Sequence, residues 1–315
     1  MADASQLIDA LDMRDEDGVR RASLTFSISL FTGATFAEMP HAPARCLELF
    51  LALCPPQNLR YYATENMRKH RAINKKVLDM PALWASQPET KTEYVSLELK
   101  DGDSELDAPK YLFKFASAEK GSPPHEAGDA NSVTMTFPPS FGLANAQQMQ
   151  DLLLRLLSEL RCTCATAGFA FQCSRYSPRL GETFAWQKSM RHPEVDIVRI
   201  PQDHGAVQSN ALKTVSWLTM VCDRFVQELG GAAVVTKGLG KGIVHGPVPG
   251  GLLLRIGDLP TITDRNRGET TPDYKRLHMA LRPLVERARE QAMWFSTDSD
   301  DQDQQTEDWF RRFEK

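Results

Sequence analysis

The chain has 315 residues, 42% hydrophobic and 25% charged, the proportions of an ordinary globular protein with room for two domains or one large one. This composition excludes a mainly disordered chain, a collagen-like chain and a disulfide-dense mini-protein. Lys plus Arg total 37 against 41 for Asp plus Glu, so the net charge of −4 offers no basic excess for direct nucleic-acid binding.

The acidic excess sits at the C-terminus. Residues 296–315 carry Asp298, Asp300, Asp301, Asp303, Glu307, Asp308 and Glu314 against Arg311, Arg312 and Lys315, which leaves residues 1–295 with equal numbers of acids and bases. No apolar run approaches the roughly 18 residues of a membrane span. The opening Met1-Ala-Asp-Ala-Ser5 lacks the basic and apolar regions of a signal peptide. Most of the cysteines (46, 54, 162, 164, 173 and 222) fall in apolar periodic segments. Reduced thiols and a cytoplasmic location are the expectation.

In chain order, Leu24, Phe26, Ile28 and Leu30 alternate with Ser23, Thr25, Ser27 and Ser29, predicting a strand with one buried and one wet face. A helix over 43–54 carries Cys46, Leu47, Phe50, Leu51 and Cys54 and stops at Pro55-Pro56. A short strand follows at 60–63, then a helical stretch over 66–86 interrupted by Pro81. Three alternating runs come next, at Val95/Leu97/Leu99, Tyr111/Phe113/Phe115 and Val133/Met135/Phe137. Between the last two, 119–131 has Gly, Pro and few apolar residues and predicts a mobile surface loop.

Met149, Leu152, Leu153, Leu156, Leu157 and Leu160 define a helix over 146–161, with Asn145 at its N-cap position. A strand (165–173), a helix (180–190), a strand (195–200), a strand running into a helix at 222–229, and a strand at 252–256 complete the middle of the chain. The last large helix opens at Thr271-Pro272, with a kink or restart at Pro283.

The resulting fold class is α+β, with two strand–helix–strand halves whose mainly antiparallel sheets are covered by helices on one face. The expected divisions are 1–118, the loop 119–131, 132–295, and the acidic tail 296–315.

Catalytic motifs are sparse. Cys162-x-Cys164 with Cys173 lacks the second ligand pair of a zinc site and reads as core. The Gly-rich run Gly238-Leu-Gly240-Lys241-Gly242 lacks the Ser or Thr of a phosphate loop and reads as a turn-rich connection. No histidine pair has metal-ligand spacing, and no nucleophile elbow is present. Neither a metal nor a cofactor is expected. Glu98-x-Lys100 is the half-motif of a metal-dependent nuclease, with both side chains on one face of a strand. Such a site needs a further Asp, and Asp79 is poorly placed. In the tail, Asp298, Asp300, Asp301, Asp303, Glu307 and Asp308 beside Trp309 and Phe310 offer carboxylates with apolar anchors for a basic partner, or a solvated end whose aromatics fold back onto the body.

From Phe137 to Leu284 the chain resembles the TsiV-like type VI secretion immunity proteins. The resemblance rests on Phe137-Pro-Pro-Ser-Phe141, Ala167-Gly-Phe-Ala-Phe171, Lys213-Thr-Val-Ser-Trp-Leu-Thr219, Asp223-Arg224, Glu228-Leu-Gly-Gly231, Pro249-Gly-Gly-Leu-Leu-Leu-Arg-Ile-Gly257, Pro260, Asp264-Arg-Asn266, Pro272 and Tyr274, in that order. The N-terminal 90 residues match loosely, and the loop 119–131 and the tail beyond 295 look peculiar to this chain. The resemblance implies a cytoplasmic, non-enzymatic antitoxin. Its partner would be a nuclease effector of the VRR-NUC or Tox-REase type, stopped by occlusion or by disruption of an active oligomer. A metal-dependent nuclease using Glu98 and Lys100, and a self-associating scaffold or homodimer, are the alternatives.

Overall fold

The computed structural model describes residues 11–87, 93–199, 202–292, 295, 297 and 300–315. Its strands are β1 (Met13–Arg14), β2 (Arg20–Thr32), β3 (Tyr61–Thr64), β4 (Arg71–Ala72), β5 (Tyr94–Lys100), β6 (Leu112–Ala118), β7 (Asn131–Phe137), β8 (Cys164–Cys173), β9 (Asp196–Val198), β10 (Leu218–Cys222), β11 (Ile243–Val248) and β12 (Gly251–Ile256). They form one 12-stranded sheet in the order β11-β12-β10-β8-β2-β7-β6-β5-β3-β4, with β1 added to β2 and β9 to β8. All pairings are antiparallel except β8 with β9. The α+β class follows directly. Segments 1–118 and 132–295 meet within this sheet, because β2 pairs with both β7 and β8.

Alternation decides the faces. Leu24, Phe26, Ile28 and Leu30 share one face with Val133, Met135 and Phe137 and are all buried. The helix Ala42–Leu51 sets Phe50 against Phe113 and Phe137, with ring centroids 5.8 and 5.4 Å apart. Helix Ala146–Glu159 buries Met149, Leu152, Leu153, Leu156 and Leu157 beside it. Gly142, in the short helix Pro139–Ala144, lets the backbone close on Phe26: a Cβ there would lie 2.3 Å from the Phe26 Cβ.

The opposite face of β2 is not wet. Ser23, Thr25, Ser27 and Ser29 are buried, as are Ser132, Thr134 and Thr136 of β7. Their hydroxyls find partners inside: Ser23 donates to the Pro109 carbonyl, Thr25 to Ala170, Thr136 to Lys110, and Ser132 pairs with His204 Nε2. Small hydroxyl side chains satisfied by backbone carbonyls can be buried where the alternation alone predicts solvent.

Other expectations change locally. The stretch 66–86 splits into β4 and the helices Lys75–Leu78 and Met80–Ser86. Asn145 sits at the N-cap position of the following helix, as expected, but its side chain makes no cap hydrogen bond; its amide donates to the Phe141 carbonyl instead. Pro272 opens the helix Pro272–Gln291, which carries Pro283 inside it as one element. The Gly-rich connection contains strand β11, paired to β12 along its length. Within 119–131 there is a one-turn helix, Pro123–Glu126, and Glu119 is buried, accepting from the Phe36 and Ala37 amides. The cysteines are free thiols.

Candidate functional site

The polar face of the sheet opens into a cavity of about 450 Å³ between β5, β6, β8 and the segment 172–202. Period two places Ser96, Glu98 and Lys100 of β5 on this face, opposite Ala116, Lys114 and Leu112 of β6. Glu98 is engaged from two sides, 2.6 Å from His70 Nε2 and 3.1 Å from Lys114 Nζ. Burial pushes its pKa up, but Lys114 and His70 outweigh this and hold the carboxyl well below the usual range. Lys100 donates to the carbonyls of Glu105 and Asp107 at 2.8 and 2.5 Å. Burial pushes its pKa down to about 8. The two residues of the nuclease half-motif do share a face, and each is consumed by its own partners. Asp79 is exposed and does not line the cavity. Among the described residues no group of His, Cys, Asp and Glu is placed to hold a metal ion. Cys162 and Cys164 are buried, and burial pushes the Cys164 thiol up to about 12.

The tail is a folded element. Asp298 lies outside the described residues. Asp301 caps the helix Gln302–Phe310 by accepting from the Gln304 amide. Trp309 and Phe310 are 1% and 3% exposed, so these aromatics pack into the body. Trp309 meets Phe295 edge-on at 5.6 Å, and Phe313 stacks on Tyr274 at 5.6 Å. Arg312 is buried between them, its guanidinium 3.9 Å from the Trp309 ring centre and 4.5 Å from that of Phe313. It donates to Pro193 O, Trp309 O and Thr214 Oγ1 at 2.7, 3.0 and 2.8 Å. Burial pushes its pKa down to about 9. Of the tail carboxylates, Glu307 pairs with Arg289 and Arg311, and Asp308 with Lys315. Asp300 and Asp303 stand exposed.

The sheet edge formed by β3 and β4 has the opposite character. Between Arg60 and Lys76 the sequence carries Arg60, Arg68, Lys69, Arg71, Lys75 and Lys76 against a single acid, Glu65. All of these cations are exposed, and among the described residues their side chains make no hydrogen bond or ion pair. Several exposed arginines elsewhere are matched to acids: Arg45 to Glu48, Arg224 to Glu228, Arg276 to Asp273 and Arg311 to Glu307. His70 anchors the loop carrying Arg68 and Lys69. Its backbone amide donates to Tyr176 Oη at 2.9 Å, its Nδ1 lies 2.8 Å from that oxygen, and its Nε2 faces Glu98. The neutrality of the whole body hid this cluster; a local charge window over 60–76 carries the signal.

Residues 42–313 match the TsiV family, described as type VI immunity for VRR-NUC. The chain belongs to the TsiV family. The match begins well before Phe137 and ends at residue 313, so its span takes in the loop 119–131 and most of the tail, both expected to be peculiar to this chain. Among solved structures, the TsiV-family fold here is similar to a Pseudomonas aeruginosa T6SS protein, PA0821, with a TM-score of 0.81 at 18% identity, covering 96% of this chain and 87% of that one. No curated relative matches the chain. No helix among the described residues is long and apolar enough to cross a membrane.

Proposed function

We propose that this TsiV-family immunity protein acts by direct protein–protein contact with a VRR-NUC-type effector, as a binder that turns over no substrate. The family match over residues 42–313 carries the reading. The cavity chemistry supports it: the Glu98 carboxylate and the Lys100 ammonium already have their partners inside the protein, which leaves neither poised to ligate a metal or activate water. A 1:1 complex that covers the effector's working surface is sufficient for inhibition. Exposure leaves the tail carboxylates Asp300 and Asp303 accessible to cationic side chains such as a nuclease presents to DNA phosphates. Trp309 and Phe310 support the helix bearing Asp303 from below.

The test is to purify a VRR-NUC effector from the same bacterium and measure DNA cleavage with and without this chain. Inhibition at a stoichiometric ratio, with no cleavage by the chain alone, is the expected result. Cleavage by the chain that disappears in Glu98→Ala returns the assignment to an enzyme.

A further inference from the structure

We infer that the cationic β3–β4 edge is the principal effector-docking surface, and that it recognises a carboxylate-rich protein face. This rests on the immunity reading above and names the chemistry of the contact.

Three observations converge. The first is charge: Arg60, Arg68, Lys69, Arg71, Lys75 and Lys76 bring six exposed cations together without side-chain partners among the described residues, whereas Arg45, Arg224, Arg276 and Arg311 each have an acid beside them. Self-repulsion within such a cluster costs stability, and an external anionic partner relieves it. The second is shape: among the described residues β4 pairs with β3 alone and ends the sheet, which leaves a strand edge beside the cations. The third is rigidity. The loop that carries Arg68 and Lys69 is held from below by His70 through Tyr176 and Glu98, so ordering it on binding costs little.

The patch also fits a protein better than a nucleic acid. The helix Met80–Ser86 continues directly from Lys75–Leu78 and carries Leu83, 61% exposed. Tyr61 and Tyr62 of β3 are half-buried beside the edge. A mixed rim of aromatic, apolar and basic groups is the composition of a protein interface. Asp79 and Glu65 are the acids that temper the patch.

The experiment measures affinity for the cognate effector by titration calorimetry across a salt series, using the full chain and the triple variant Arg68→Glu/Lys69→Glu/Arg71→Glu. We expect the variant to lose about 10- to 1,000-fold in affinity and to show a flatter salt dependence. A second variant, Arg68→Gln/Lys69→Gln/Arg71→Gln, introduces no repulsion and is expected to show a smaller loss in the same direction, with an unchanged melting curve. Affinity within twofold of the parent in both variants overturns the assignment and leaves the immunity reading intact. Tight binding of the parent to a short DNA at 0.15 M salt, abolished in the triple variant, overturns the choice of a protein partner. A parent chain that fails to bind or protect against the effector defeats the immunity reading and the docking surface together.

Discussion

The C-terminal helix and the β3–β4 edge invert what their sequences advertise. The tail is the more acidic stretch of the chain, yet its aromatics are core and its acids Glu307 and Asp308 are matched by Arg289, Arg311 and Lys315. The edge lies in an electrically neutral body, yet Arg68, Lys69 and Arg71 face solvent without partners among the described residues. The lesson is that net charge in a segment says little about charge offered to a partner. What counts is the part left over after neighbours in space have been matched, and that depends on the fold.

The largest effect that would break this contrast lies in the tail core. Arg312→Ala removes a buried cation stacked between Trp309 and Phe313 and orphans Pro193 O and Thr214 Oγ1. Urea denaturation should register a loss of roughly 3–5 kcal/mol. A loss below about 1 kcal/mol would restore the tail as a loosely attached arm.

Glu194 is buried near Arg312 and accepts from the Thr263 amide and hydroxyl. Burial pushes its pKa up to about 7. The unfolded chain releases this proton at the ordinary carboxylate pKa, while the folded chain keeps it. Its contribution to stability therefore declines as pH rises from the ordinary value through about 7. Glu194→Gln should flatten that decline, whose full span is on the order of 3 kcal/mol, in melts taken between pH 4.5 and 8.

A smaller effect belongs to the tail's surface ion pairs. Glu307→Gln breaks contacts with Arg289 and Arg311 at a partly exposed site and should cost at most about 1 kcal/mol. Smaller still, Asp300→Asn with Asp303→Asn should lower effector affinity by less than about threefold, well short of the loss expected at the edge. A larger loss at the tail than at the edge would reverse the comparison.

Strand and helix positions were legible wherever periodicity was strong, as in β2, β5–β8 and the helix Ala146–Glu159. The family was legible in the motifs between Phe137 and Tyr274. The dry second face of β2 was not, because a buried serine and a solvated serine look alike until the carbonyl that receives its proton is located. Strand β11 was masked by Gly246 and Pro247, which its edge position tolerates. The Glu98-Lys100 pairing on one face followed from period two, but the engagement of Glu98 by His70 depends on a contact 28 residues away in sequence. Trp309 and Phe310 posed the same difficulty, since an apolar anchor for a partner and a plug for the body are written with the same letters.

The place of β2 at the centre of the sheet has a consequence for synthesis. This 13-residue strand is made well before both of its neighbours, since β7 begins about 100 residues after it and β8 about 130. At ribosomal speeds of roughly 5–20 residues per second, it waits many seconds with Phe26 and Ile28 unsheltered. The central strand of the sheet is thus the one that needs shelter from its own chain for longest before its partners arrive.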